Sequence, residues 1–290
     1  MNIVHIGYPK TATTFLQWEV FPNLEGVNYV DYRTCEQIFT PLIYLDEFDY
    51  DLSSVQETLK AYVLERTNLF SFEGLVGPPF IYKGLGRSVI PERLRALGFD
   101  KIIITLRNQE DMLDSLYRQY VIQGGVVRFA DFIDRKKRWN LYQRSFNMDF
   151  LKYDSLICKC NEIFGKDNVL VLRTEDLKKD TNAFINQIEY FVGSDMEKGR
   201  PSKKVNQSMS NLSIAVLRVV NHFIFTSQKP NNLIWNRIGT KYVSKVFLAI
   251  LEPYIFRFIS SRKSFLTKGD MEYVRKYYAE SNERLNEALK

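Results

Sequence analysis

Residues 2–17 read Asn-Ile-Val-His-Ile-Gly-Tyr-Pro-Lys-Thr-Ala-Thr-Thr-Phe-Leu-Gln. The apolar, partly β-branched run Asn2 to Tyr8 predicts a buried strand, and Thr13 to Val20 predicts a helix. Between them a short turn carries Lys10. A strand that passes directly into a helix gathers backbone N–H groups and the positive end of the helix dipole at one point. Lys10 adds a point charge there, and Thr11, Thr13 and Thr14 add hydroxyl donors. Two readings stay open on these residues: an anion site, or a turn that only caps its helix.

Outward from this stretch, apolar runs alternate with helical spacings. Strands are predicted at Asn68 to Phe72, Lys101 to Leu106 and Asn168 to Leu172. Helices are predicted at Ser54 to Arg66, Pro91 to Leu97, Asp111 to Ile122, Phe150 to Phe164 and Thr181 to Val192. Strands separated by helices imply crossover units and a parallel sheet. After Gly193 the strand signals stop, and helices are expected around Leu212 to Phe225, Val243 to Ile259 and Gly269 to Leu289. The expected fold class is therefore α/β, a parallel sheet flanked by helices over residues 1–193. Residues 194–290 form a helical C-terminal part packed on it, within the same domain.

The composition suits a folded chain: 290 residues, 45% hydrophobic and 26% charged. Three cysteines, Cys35, Cys158 and Cys160, make no disulfide framework, and two histidines leave little for a metal site. Cys158 and Cys160, two apart on a helix, face different directions. No apolar run approaches a membrane span and no leader pattern precedes the first strand, so the expected location is the cytoplasm, at most peripheral on the inner face of the membrane. The net charge of +6 is uneven: residues 201–269 hold eleven Lys or Arg against Glu252 alone. That segment suits a solvated face, an anionic substrate or a membrane surface. No nucleic-acid recognition module is evident in it.

The turn is not the nucleotide-binding Walker pattern. Lys10 follows Gly7 by three residues and no glycine precedes it, whereas that pattern needs Gly-Lys after four intervening positions. Nor does the strand Lys101 to Leu106 end in a magnesium-binding aspartate; Arg107 stands there, which favours direct phosphate binding. Helical geometry places Ser115 about two turns up the helix that follows Arg107, so that both can flank one phosphate.

Taken together, Pro9-Lys10-Thr11-Ala12-Thr13-Thr14 and Leu106-Arg107-Asn108 to Ser115-Leu116-Tyr117 resemble the sulfotransferases that use 3'-phosphoadenosine 5'-phosphosulfate (PAPS), in particular bacterial ones. A third stretch, Val169 to Lys178, resembles the family's later strand and its Glu-Asp-Leu helix start. The resemblance spans residues 2–193 and implies a P-loop-like sulfotransferase fold. It implies that Lys10, Thr11, Ala12, Thr13 and Thr14 hold the 5'-phosphosulfate, and that Arg107 and Ser115 hold the 3'-phosphate. It further implies sulfuryl transfer to a hydroxyl or amine, without a metal, leaving adenosine 3',5'-bisphosphate (PAP). Ala12 replaces the family's frequent Gly, which fits if the turn stays right-handed; Arg173 and Thr174 replace aromatic residues.

An acceptor hydroxyl needs a base, and Glu73 is the candidate, because it follows a strand where parallel sheets place their sites. A loop carboxylate with a capping role is the other reading. His5, mid-strand, reads as a core histidine before it reads as a base. Trp139 and Tyr142 are candidates for stacking on a sugar, though a basic surface loop fits them as well. The expected acceptor is a carbohydrate or glycolipid, met in loops such as 74–90 and 123–148. The rival readings are a P-loop-type kinase and a non-enzymatic membrane-surface binder resting on residues 201–269.

Overall fold

The computed structural model describes residues 1–80, 84, 86–133, 146–197, 209–223 and 263–290. Trp139, Tyr142, the expected helix Val243 to Ile259 and most of the basic segment lie outside the described residues.

The strands are β1 (Asn2–Gly7), β2 (Asn28–Val30), β3 (Asn68–Ser71), β4 (Lys101–Leu106) and β5 (Val169–Arg173). The helices are α1 (Thr13–Phe15), α2 (Tyr32–Tyr44), α3 (Leu52–Lys60), α4 (Ile90–Ala96), α5 (Gln109–Ile122), α6 (Phe129–Phe132), α7 (Tyr153–Phe164), α8 (Thr174–Lys179), α9 (Thr181–Val192), α10 (Asn211–Val220) and α11 (Lys268–Ala288). The chain forms two compact units, one of Met1–Asn108, Asp149–Lys204 and Tyr277–Lys290, the other of Gln109–Met148 and Val205–Lys276.

The first unit holds the sheet, in the order β2-β3-β1-β4-β5 with every pair parallel. Burial on both sides explains the near-continuous apolar strands. On one face Ile3, Leu69 and Ile103 pack in a core with Leu16, Val20, Phe21, Phe184, Ile185 and Ile188. On the other, Phe70 meets Phe39 and Phe99 at ring separations of 6.0 and 5.3 Å. The segment after the turn is less regular than expected: α1 passes into a π-helical turn over Leu16–Val20. That wider turn still buries Leu16 and Val20.

Two elements of this unit were not anticipated, β2 and α2. Three residues are too few to carry an alternation signal, and Pro41 inside α2 removes a donor one turn from its end. Asp31 starts α2 by accepting from the N–H groups of Arg33 and Thr34 at 2.9 and 3.3 Å. The chain's last residues return to this unit. Asp154 of α7, 3% exposed, accepts from the Ser281 hydroxyl and, at 2.7 Å, from Arg284 Nε.

The second unit is built around Arg118. Its guanidinium donates to Asp114 at 2.9 Å, to the Met209 and Lys263 carbonyls at 2.9 and 2.7 Å, and to Asn211 Oδ1 at 2.8 Å. Tyr117 packs edge-on against Phe129 and Phe265 beside it.

Candidate active site

In the first unit the strand ends assemble the site. Adjacent strands β3, β1, β4 and β5 are followed, in that spatial order, by Glu73, the turn Tyr8–Ala12, Arg107 and Glu175. This is the carboxyl edge of a parallel sheet, on either side of its first strand, where such folds bind ligands.

The turn's shape comes from its backbone. Lys10 and Ala12 have φ of 68° and 62°, with a negative φ at Thr11 between them. The expectation of a right-handed turn at Ala12 is corrected: Ala12 is left-handed, with ψ 22°, and forms the N-cap of α1. Positive φ on both sides of a residue with negative φ is a backbone pattern of the kind found in anion nests. A Cβ in this region costs roughly 1–2 kcal/mol per residue, so the surroundings must hold the turn in place.

Those surroundings are specific. The Thr11 side chain, 0% exposed, points inward, donating to the Tyr8 carbonyl at 2.5 Å and meeting Thr105 Oγ1 at 2.7 Å. Thr13 donates to Glu73 Oε2 at 2.6 Å. Both hydroxyls are thus engaged with protein, while Lys10 and Thr14 are exposed. Arg107 reaches the turn from β4, its Nη1 3.5 Å from the Lys10 carbonyl oxygen. Tyr153 donates to the Arg107 carbonyl at 2.8 Å, and Glu175 accepts from the Asn108 N–H at 3.1 Å. The stretch Val169 to Lys178 therefore reaches the site through Glu175. Burial pushes the Tyr153 phenol well above its usual range.

Lys10, Thr11, Ala12, Thr13, Thr14, Glu73 and Arg107 all belong to this one unit, and the contacts above join Arg107 to the turn and the turn to Glu73. Ser115 lies on α5 in the other unit and is partly exposed. Several residues escaped the reading of the sequence: Ser71, Thr105, Tyr153 and Tyr32; Glu175 entered it only as part of the Glu-Asp-Leu helix start. Tyr32 opens α2 with its ring 5.3 Å from that of Phe72. Burial, reinforced by the negative charges of Glu36 and Glu73, pushes its phenol up to about 12. Thr105 and Ser71 did carry a signal, as polar residues at the carboxyl ends of otherwise apolar strands.

A lysine-bearing left-handed turn joins a parallel strand to a helix, with an arginine from the next strand beside it, at the carboxyl edge of an α/β protein. The sulfotransferase domain family matches residues 88–245, more than half of the chain, and the chain belongs to that family. Human sulfotransferase 4A1 is 23% identical over 198 residues, covering 67% of this chain. The match spans 61% of that relative's own length. A sulfotransferase structure from Alicyclobacillus acidocaldarius shares the fold, with a TM-score of 0.52 at 15% identity over 76% of this chain and 92% of that one.

Proposed function

We propose that the protein transfers a sulfuryl group from PAPS to a hydroxyl or amine acceptor. One observation carries the reading: in a member of the sulfotransferase domain family, a left-handed turn at Lys10 and Ala12 lies between an arginine and a carboxylate on adjacent strand ends. The donor set fits a phosphosulfate chemically, since it combines a lysine, a guanidinium and turn N–H groups.

PAPS supplies the activated sulfuryl group and leaves as PAP. Lys10 neutralises charge developing on the bridging oxygen, as positioned cations do in such displacements. The turn from Thr11 to Thr14 holds the 5'-phosphate through its N–H groups and the exposed Thr14 hydroxyl. The Thr11 and Thr13 hydroxyls serve to brace the turn. Arg107 holds the 3'-phosphate; Ser115 enters this reading through the family resemblance. Glu73, oriented by Thr13, takes the proton of an acceptor hydroxyl. A carbohydrate or glycolipid acceptor suits a carboxylate base, and a basic segment at 201–269 suits an anionic acceptor or an anionic membrane surface. The proposed location is the cytoplasm, with peripheral contact through that segment. Among the described residues no helix is long and apolar enough to cross a membrane.

Calorimetry with PAP, against ATP with magnesium, tests the reading. PAP is expected to bind and ATP with magnesium to bind far more weakly. In Arg107→Ala the loss should be much larger for PAP than for an analogue without the 3'-phosphate. Preference for ATP with magnesium would instead support the kinase reading.

A further inference from the structure

His5 lies on β1, 0% exposed, and both of its ring nitrogens are hydrogen-bonded. Nδ1 is 2.7 Å from Ser71 Oγ on β3, and Nε2 is 3.1 Å from Thr105 Oγ1 on β4. Strand register explains the meeting: His5 pairs directly with Ser71, and Thr105 pairs with Gly7, two residues along the same face of β1. The apolar face made by Ile3, Leu69 and Ile103 turns polar at its carboxyl end, directly beneath the turn.

The directions of these bonds follow from counting protons. Thr11 has one hydroxyl proton and gives it to the Tyr8 carbonyl, so toward Thr105 it can only accept. Thr105 thus spends its own proton on Thr11 and must accept from His5 Nε2. Nε2 therefore carries the hydrogen, and Nδ1 of the uncharged ring accepts from Ser71. Ser71 in turn accepts from the Gln17 amide at 3.0 Å. One unbroken chain runs Gln17 to Ser71 to His5 to Thr105 to Thr11 to the Tyr8 carbonyl, with every arrow pointing toward the turn. A doubly protonated ring would reverse the Ser71 bond and strand the Ser71 proton in a buried place, a costly arrangement. Desolvation by burial works the same way, lowering the His5 pKa to about 3.

Gly7 shows how closely the chain underlies the site. A Cβ there would lie 2.5 Å from Thr105 Oγ1, 2.6 Å from Thr13 Cγ2 and 3.0 Å from His5 Nε2. Thr13 is the residue that orients Glu73. The same few atoms therefore touch the brace under the left-handed turn and the support of the carboxylate.

We infer that His5 is a positioning residue: a neutral imidazole, protonated on Nε2, that fixes the Thr105–Thr11 brace and through it the anion-binding shape of the turn at Lys10 and Ala12. Its effect on ligand affinity rests on the proposed PAPS site, while the tautomer does not.

Two measurements on the full chain test it. Nitrogen-15 NMR of histidine-labelled protein at pH 6, with His222→Gln to assign the two histidines, should show His5 as a neutral ring with hydrogen on Nε2 and none on Nδ1. Hydrogen on Nδ1, or on both nitrogens, overturns the inference. PAP binding should weaken about tenfold in Thr105→Val, the cost of one lost hydrogen bond. Thr105→Ser, which restores the hydroxyl, should stay within about twofold of the original protein. Equal binding by Val and Ser variants that keep the parent circular dichroism overturns the positioning role. If the unaltered protein does not bind PAP, the proposed function fails, and the NMR spectrum still decides the tautomer.

Discussion

Ala12 and Glu73 each do work that a change of one residue exposes. Ala12 holds a left-handed backbone at φ 62°, where glycine alone is unstrained. Ala12→Gly should therefore stabilise the protein by up to about 1 kcal/mol, with relief of strain opposed by the extra freedom glycine gives the unfolded chain. Denaturant unfolding measures this, and a loss of stability would show that the alanine methyl contributes packing that outweighs its strain. Glu73→Gln keeps the shape and the Thr13 contact but removes the base, so turnover should fall about 10²-fold or more. PAP binding should change little. Normal turnover would leave Glu73 as no more than an anchor for Thr13. The sequence shows which residues crowd the turn, but not their handedness. That is set by the Thr11 brace, whose partner Thr105 is ninety-four residues away. The inward commitment of the Thr11 and Thr13 hydroxyls was hidden for the same reason, because a threonine beside an anion site reads as a ligand until its neighbours are known.

Elements were legible in proportion to their length and apolar content. β1 and β4 are largely apolar runs, buried after their first residue, and they emerge within a residue of their predicted ends. β2 and α2 were lost to brevity and to Pro41. α5 carries a buried ion pair. Arg118 and Asp114, with side chains 4% and 9% exposed, pair at 2.9 Å, and Asp114 also accepts from the Phe265 N–H at 2.9 Å. Arg118→Met leaves a buried carboxylate without its cation, a loss of about 3–5 kcal/mol. Thermal unfolding of the variant should show it, and Asp114→Asn combined with Arg118→Met should recover part of the loss. A single variant as stable as the parent would mean that water reaches Asp114. Neither residue announced itself in the sequence, because an Asp and an Arg four apart on a helix are usually a solvated pair.

At the scale of the whole molecule, the buried histidine makes stability depend on pH. In the folded protein His5 stays neutral down to about pH 3, whereas its ordinary value is 6.5. Between those limits the unfolded chain binds the additional proton. Stability therefore falls as pH drops below 6.5, by at most about 1.4 kcal/mol per pH unit, and levels off above it. From pH 6.5 to pH 5 the parent should lose about 1.6 kcal/mol more than His5→Gln, whose side chain does not titrate. Parallel pH profiles would mean that His5 accepts its proton in the folded state. The return of Tyr277–Lys290 to the sheet unit has another consequence, for how the protein is made. Synthesis runs from the turn at Lys10 toward Ser281 and Arg284, so the contacts these two make with Asp154 form only after both have emerged. A nascent chain stopped short of them carries every residue of the candidate site, yet leaves the Asp154 carboxylate without the groups that neutralise it.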